Sequence, residues 1–224
     1  NDIDNQLNTI AGYCGHWRRV KMQELRELAP KLTPITYETL ANATLLALDA
    51  MGVMPTRATT RLHVAQCAGE SGLNTCYNYC ISGIKAKPNN GRTCWQYFAT
   101  TERFSAAQIA YAQKLGPGLV TVLEAPTATR KGKVRIAPKH PYCCFRAYES
   151  LQDAMQDHLE TLRRTFPRAW AALLTGDVDA FAHGLKLDGY YTADEDDYEA
   201  MLKSRLREEM RKIDDSNIVW GDVQ

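Results

Sequence analysis

Hydrophobic residues recur at helical spacing through most of this 224-residue chain and change to a β-like run in only one stretch. Leu40, Ala43, Thr44, Ala47, Leu48 and Met51 fall on one helix face, with Gly52 placed to end the helix. Upstream, Trp17, Val20, Leu25 and Leu28 predict a short amphipathic helix that Pro30 helps to terminate. Thr56 is placed to cap a third helix whose run Leu62, Ala65, Gln66, Gly69 carries Glu70 onto the last turn before Gly72. Ser105 and Gln108 make a capping box for a helix over 109–115, closed by Gly116-Pro117-Gly118. After Ser150 the stripe Leu151, Ala154, Met155, His158, Leu159, Leu162 is helical again, and Pro167 opens the next helix. Asp177 caps a helix over 178–185, and Asp194 caps a terminal helix carrying Tyr198, Met201, Leu202, Arg205, Leu206 and Ile213.

The period changes at Leu119 to Leu123 and Val134 to Ile136, β-branched runs around Lys131-Gly132 that predict a small hairpin. Residues Leu73 to Thr101 read as irregular, with Pro88-Asn89-Asn90-Gly91 a strong turn signal. The expected class is α+β, mostly α: a single domain over residues 1–224 in which the β excursion forms one wall of a cleft.

Composition removes several functions. With 27 basic against 26 acidic side chains the net charge is +1, which provides no field for a dedicated nucleic-acid binder. No apolar run approaches the ~20 residues of a membrane span, so no membrane partner is expected. The chain opens Asn-Asp-Ile-Asp-Asn-Gln, without a basic n-region or apolar h-region, so a signal peptide is expected to be absent or already removed. Seven cysteines, clustered at Cys76, Cys80 and Cys94 and again at Cys143-Cys144, predict disulfides formed in an oxidising compartment. The spacing Cys76-x3-Cys80 has no partner pair for zinc, so neither metal nor cofactor is expected.

The most pointed local signal is Ala68-Gly69-Glu70-Ser71-Gly72-Leu73-Asn74. A glutamate on the last turn of a buried helix can sit half-desolvated at the head of a cleft, where a raised pKa suits a general acid. Glu102, in Thr100-Thr101-Glu102-Arg103-Phe104 beside the β excursion, is a candidate second carboxylate for glycosidic bond cleavage, and Glu124 competes with it. Tyr77, Tyr79, Trp95, Tyr97 and Phe98 supply aromatic faces for sugar rings or for core packing. His63 and Cys67 stand at i, i+4, where packing is the commoner reading than a thiol nucleophile with its base, and His158 reads as a satisfied structural histidine. The acidic run from Asp194 to Asp197 reads as a helix-cap cluster.

Taken in order, these segments resemble the family-73 glycoside hydrolases, the glucosaminidase domains of autolysins and flagellar-rod peptidoglycan hydrolases. The resemblance rests on Ala65-Gln66-Cys67-Ala68-Gly69-Glu70-Ser71-Gly72, Asn78-Tyr79-Cys80-Ile81-Ser82-Gly83-Ile84-Lys85-Ala86 and Thr100-Thr101-Glu102 with Phe104. It continues through Phe145-Arg146-Ala147-Tyr148-Glu149-Ser150 with Asp153 and Asp157-His158, and ends at Gly189-Tyr190-Tyr191-Thr192-Ala193-Asp194 with Tyr198. It implies a lysozyme-like fold with residues 56–214 as catalytic core, Glu70 as general acid and Glu102 as second carboxylate on a β-lobe. It further implies Tyr191, Tyr198, Tyr79 and Ser71 as substrate-binding residues, and peptidoglycan glycan strands as substrate, cleaved after N-acetylglucosamine in the periplasm or cell wall. Three departures stand out: residues 1–55 hold N-terminal helices without a family motif, cysteines occupy usually apolar positions, and residues between Glu102 and Phe145 look like an insertion. The string Glu70-Ser71-Gly72-Leu73-Asn74 also suits muramidases and lytic transglycosylases of the same fold, and a non-catalytic wall-binding module is a further alternative. An antibacterial toxin with a cognate immunity protein seated in its cleft is consistent with the same features.

Overall fold

Local capping chemistry sets most of the element boundaries in the computed structural model, which describes residues 25–71, 73–86, 93–191, 194–209, 211 and 218. Thr36 and Thr39 exchange side-chain and backbone hydrogen bonds at the start of α1 (Tyr37–Ala50), and Gly52, at φ 68, takes the left-handed position after its end. Thr56 Oγ1 accepts from Thr59 N at 3.0 Å to open α2 (Arg57–Ser71). After a short 3-10 turn (Leu73–Thr75) come β1 (Cys94–Tyr97) and β2 (Thr100–Phe104). The Ser105–Gln108 capping box then opens α3 (Ala106–Leu115). Strands β3 (Val120–Glu124), β4 (Gly132–Ile136) and β5 (Cys144–Ala147) lead to α4 (Leu151–Thr165) and α5 (Pro167–Thr175). Asp177 and Asp194 cap α6 (Val178–Leu187) and α7 (Glu195–Ser204), and a π turn follows at Arg205–Glu209. The acidic run from Asp194 is thus a capped first turn, where carboxylates complement the helix dipole.

The helices form a body around one core that includes Leu40, Leu48, Leu62, Met155, Leu159, Leu173, Phe181, Leu185 and Leu202. A second, smaller core of Cys80, Ile109, Val134, Ile136, Cys143 and Phe145 underlies the β-lobe. The architecture is the mostly α, α+β class expected. More of it is β than the period suggested, however. Strand β2 joins the β3–β4 hairpin to make a sheet of order β2-β4-β3, and β1 pairs antiparallel with β5. The stretch between Glu102 and Phe145 is therefore the structural support of β2, since β4 is the central strand of its sheet.

Two expectations need correction. Leu25 and Leu28, assigned to a helix by period, lie in an extended segment: Glu27 bridges Trp95 in parallel, and Leu28 N donates to Trp95 O at 2.7 Å. The edge of β1 offers unpaired backbone groups, and satisfying them outweighs the weak helix preference of a short segment. Residues 17–24 of that predicted helix, the Pro88–Gly91 turn, Cys14 and Ile213 lie outside the described residues. The disulfide expectation also fails among the described residues: Cys67, Cys76, Cys80, Cys94, Cys143 and Cys144 are buried and form no disulfide with one another. No described helix is long and apolar enough to cross a membrane.

Arg146 of β5 and Asp157 of α4 form an ion pair at the junction of lobe and body, and the Tyr148 hydroxyl donates to the same carboxylate at 2.6 Å. Arg146 also donates to Thr161 Oγ1 at 3.2 Å.

Gly184 sits where α6 crosses α5, and a Cβ there would meet Ala169 N at 2.6 Å. Gly184→Ala is expected to lower stability by roughly 1–3 kcal/mol through overpacking. Urea denaturation checks this by a lower midpoint at unchanged slope.

Candidate active site

Helix α2 runs through the core, with Thr59, Thr60 and every residue from Leu62 to Ala68 buried, and it ends at the solvent with Glu70. Glu70 is exposed at the cleft, yet the protein packed around its carboxyl raises its pKa above the usual carboxylate range. Two tyrosines oppose that shift by favouring the carboxylate: Tyr198, whose hydroxyl donates to Glu70 Oε1 at 2.8 Å, and Tyr190. The Gln66 amide lies beside both hydroxyls, but its buried side-chain atoms reach no hydrogen-bond geometry with them.

Glu102 stands on β2 opposite Val134 of β4, a buried residue, so the register turns Glu102 toward the inner face of the sheet. Arg103 faces the other way and meets Glu124 at 3.6 Å, which places Glu124 on the outer face in an exposed ion pair. Glu70 and Glu102 line one cavity of about 640 Å³ together with Tyr77, Ser82, Gly83, Lys85, Phe98 and Phe145. Glu70 also lines a neighbouring cavity of about 490 Å³ with Lys85, Arg146, Arg164, Phe166 and Tyr190. A third, of about 360 Å³, continues past Glu102 to Phe104, Gln108 and Tyr142. Lys85 and the two glutamates thus link three spaces into an open groove that crosses from the helical body onto the lobe.

The groove floor is the segment from Cys76 to Ala86, held in an unusual backbone path. Asn78 and Tyr79 both take positive φ, 46 and 53, which side chains larger than glycine seldom adopt. Tertiary hydrogen bonds over-determine that path: Asn78 Nδ2 donates to Ala29 O at 3.0 Å and to Gln96 Oε1 at 2.9 Å, and Tyr148 N donates to Asn78 O at 3.0 Å. Beyond it, Lys85 bridges Phe145 of β5, and its Nζ donates to Tyr142 O at 2.6 Å and lies 3.9 Å from the Phe145 ring centroid. Burial lowers the Lys85 pKa, and the Glu102 charge opposes that shift. Phe98 stacks on Phe145 at 4.1 Å, and Tyr77 lies 5.9 Å from Phe98, so an aromatic wall faces the two carboxyls.

Of the six residues expected at the site, Glu70, Glu102 and Tyr198 come together around the groove or its acid. Tyr191 stacks on Tyr198 at 4.0 Å and donates its hydroxyl to Ala182 O at 3.0 Å, so it braces Tyr198, and its neighbour Tyr190 lines the cavity. Tyr79 packs against the helical core, and Tyr77 takes the place at the wall. The side chain of Ser71 lies outside the described residues. Tyr190 and Lys85 sit inside the quoted motifs, but the facing of a turn residue depends on backbone angles that no periodicity encodes. Cys67 is fully buried, and burial pushes its thiol pKa far up, which removes the thiol-nucleophile reading.

No family model matches the chain, and no curated protein matches it. Among solved structures it is similar to a peptidoglycan hydrolase from Sphingomonas sp. A1, with 22% identity over 78% of this chain and 86% of that one at a TM-score of 0.41. A mutant of a peptidoglycan hydrolase from the same source gives 23% identity over 78% and 93% at 0.45. The catalytic domain of the autolysin Auto from Listeria monocytogenes gives 14% identity over 90% and 92% at 0.46. Likeness this distant identifies no activity, and the chemistry is read from the residues.

The Tyr198 hydroxyl bonds to the charged form of Glu70, so its removal disfavours ionisation. Tyr198→Phe is expected to raise the Glu70 pKa further, which a carboxyl-carbon NMR titration of the variant against the parent measures. A lowered or unchanged value contradicts the assigned hydrogen bond.

Proposed function

We propose that this chain is a glycoside hydrolase acting on the glycan strands of peptidoglycan, with Glu70 as general acid. The observation that carries this reading is a carboxyl with a raised pKa sharing one groove with a second carboxylate. Glycosidic cleavage needs a proton on the leaving oxygen, and a carboxyl that keeps its proton toward neutral pH delivers it. Glu102 faces Glu70 from the lobe, where it supports an attacking water or the positive charge that develops on the sugar. Tyr198 holds the acid in place and is itself braced by Tyr191. Tyr77 and Phe98 offer flat apolar faces to sugar rings along the groove.

A neutral protein meets an anionic polymer only through local charge, and the groove supplies it: Lys85, Arg146 and Arg164 line the cavity beside Glu70. We assign the bond after N-acetylglucosamine, as the sequence resemblance implies, and place the action in the periplasm or cell wall. For a chain delivered as an antibacterial toxin, the partner is an immunity protein that plugs the Glu70–Glu102 groove.

Purified sacculi digested with the protein, reduced with borohydride and analysed by mass spectrometry are expected to give glucosaminitol ends. Muramitol ends identify a muramidase, anhydromuramyl ends a lytic transglycosylase, and binding without release of sugar a wall-binding module. Glu70→Gln is expected to lower turnover by about 10²–10⁴-fold while leaving sacculus binding in place. Full activity in that variant removes Glu70 as the acid. Because the acid works in its protonated form, activity is expected to fall as pH rises through the elevated Glu70 pKa. In Tyr198→Phe this alkaline limb moves to higher pH.

A further inference from the structure

Behind Glu70 the body brings together three metal-ligating side chains that the proposed hydrolysis does not use. His63 and Cys67 stand one turn apart on α2, and His158 reaches them from α4. His63 Nε2 lies 2.9 Å from His158 Nδ1, and Cys67 Sγ lies 3.7 Å and 3.6 Å from those two nitrogens. All three residues are buried, and their ligand atoms fall within 4.8 Å of one another. A tetrahedral zinc ion holding nitrogen at ~2.0–2.1 Å and sulfur at ~2.3 Å spaces such ligands about 3.3–3.6 Å apart. The two sulfur sides match this spacing closely, and the nitrogen–nitrogen side is about 0.4 Å shorter, an opening the ion would make.

We propose that His63, Cys67 and His158 bind one zinc ion. One remaining nitrogen fits this assignment. His63 Nδ1 lies 3.0 Å from Thr44 Oγ1 on α1, the outer hydrogen bond that fixes the tautomer and ring orientation of a histidine ligand. His158 Nε2 is buried and has no hydrogen-bond partner among the described residues, and His158 lines the cavity that also holds Glu70. A hydrogen-bonded cluster without metal has one proton to place between His63 Nε2 and His158 Nδ1. With zinc, both nitrogens and the thiolate donate lone pairs to the ion, and His63 keeps its proton on Nδ1 and donates it to Thr44. The proton lost is that of the Cys67 thiol, released to solvent, and nothing is oxidised or reduced.

Two imidazoles and a thiolate leave a fourth position on the ion for water. The ion ties α2 to α4 through Cys67, which stands three positions before Glu70. The site does not depend on the proposed hydrolysis, since it is defined by its own ligands.

The test uses the full chain, freed of metal by chelation and titrated with zinc or cobalt(II). One equivalent is expected to bind, the melting temperature to rise with zinc concentration, and cobalt to give tetrahedral visible bands with a thiolate-to-cobalt charge-transfer band. Cys67→Ser and His158→Gln are expected to lose that band, and Thr44→Val to keep it with zinc affinity lowered about 10- to 100-fold. X-ray absorption of the zinc-loaded parent protein decides the donor set even if a variant does not fold, with one sulfur and two imidazoles expected. No bound equivalent, more than one sulfur at the ion, or undiminished binding in folded Cys67→Ser overturns the proposal. Sacculus digestion tests the hydrolase reading separately, so the two can fail independently.

Discussion

The burial of α2 is the constraint on which the rest of the molecule depends. A helix packed by α1, α5 and α7 has no solvent face on which to place its polar residues, so Thr59, Thr60, His63 and Gln66 lie inside the core. Some are answered there, as Thr44 answers His63, and others stay unmatched, as Gln66 does. Keeping such groups from water costs free energy that a purely structural helix would avoid. The same burial lets α2 surface only at its two ends, and at the second Glu70 emerges among protein atoms that disfavour its charge. That end packs closely on α7: a Cβ at Gly69 would meet Met201 Sδ at 2.3 Å, and Met201 shares α7 with Tyr198. The position of Glu70, the direction of its pKa shift and its hydrogen-bond partner thus follow from one packing arrangement.

The lobe answers a different requirement. Glu102 must face the body from a surface that has its own support, and the β2-β4-β3 sheet, backed by the smaller core, provides it. Alternation along β2 then separates the inward Glu102 from the outward Arg103. The two halves are joined by backbone hydrogen bonds from the groove floor to β5 and by the Arg146–Asp157–Tyr148 cluster, which is largely buried and therefore weakly screened. The groove lies along that seam, with Lys85, Arg146 and Arg164 on its lining beside Glu70.

Helix limits were legible wherever capping is local. Thr56, Ser105, Asp177 and Asp194 accept hydrogen bonds from residues two or three positions on, so a short window of sequence contains the whole interaction. Strands β1, β2 and β5 were not legible, because their partners lie tens of residues away and their short runs carry little alternation. Leu28 shows the same limit from the other side: its helical spacing yields to a hydrogen bond with Trp95, 67 positions on. The cysteines invited a disulfide reading by number and spacing, whereas the six described ones are buried, Cys67 and Cys76 in the larger core and Cys80 and Cys143 in the smaller.

By itself the sequence determined the mostly helical class and the placement of Glu70 at a helix end, because these rest on local period. Only the tertiary structure decided that Tyr190 rather than Tyr191 lines the groove, that Tyr77 rather than Tyr79 forms its wall, and that Glu124 faces away. It alone brought His158 to His63 and Cys67 across 95 and 91 positions. The physical reason is common to all of these. A side chain's direction in a turn, and its neighbour across a core, are set by the packing of distant elements, and no local spacing along the chain records that packing.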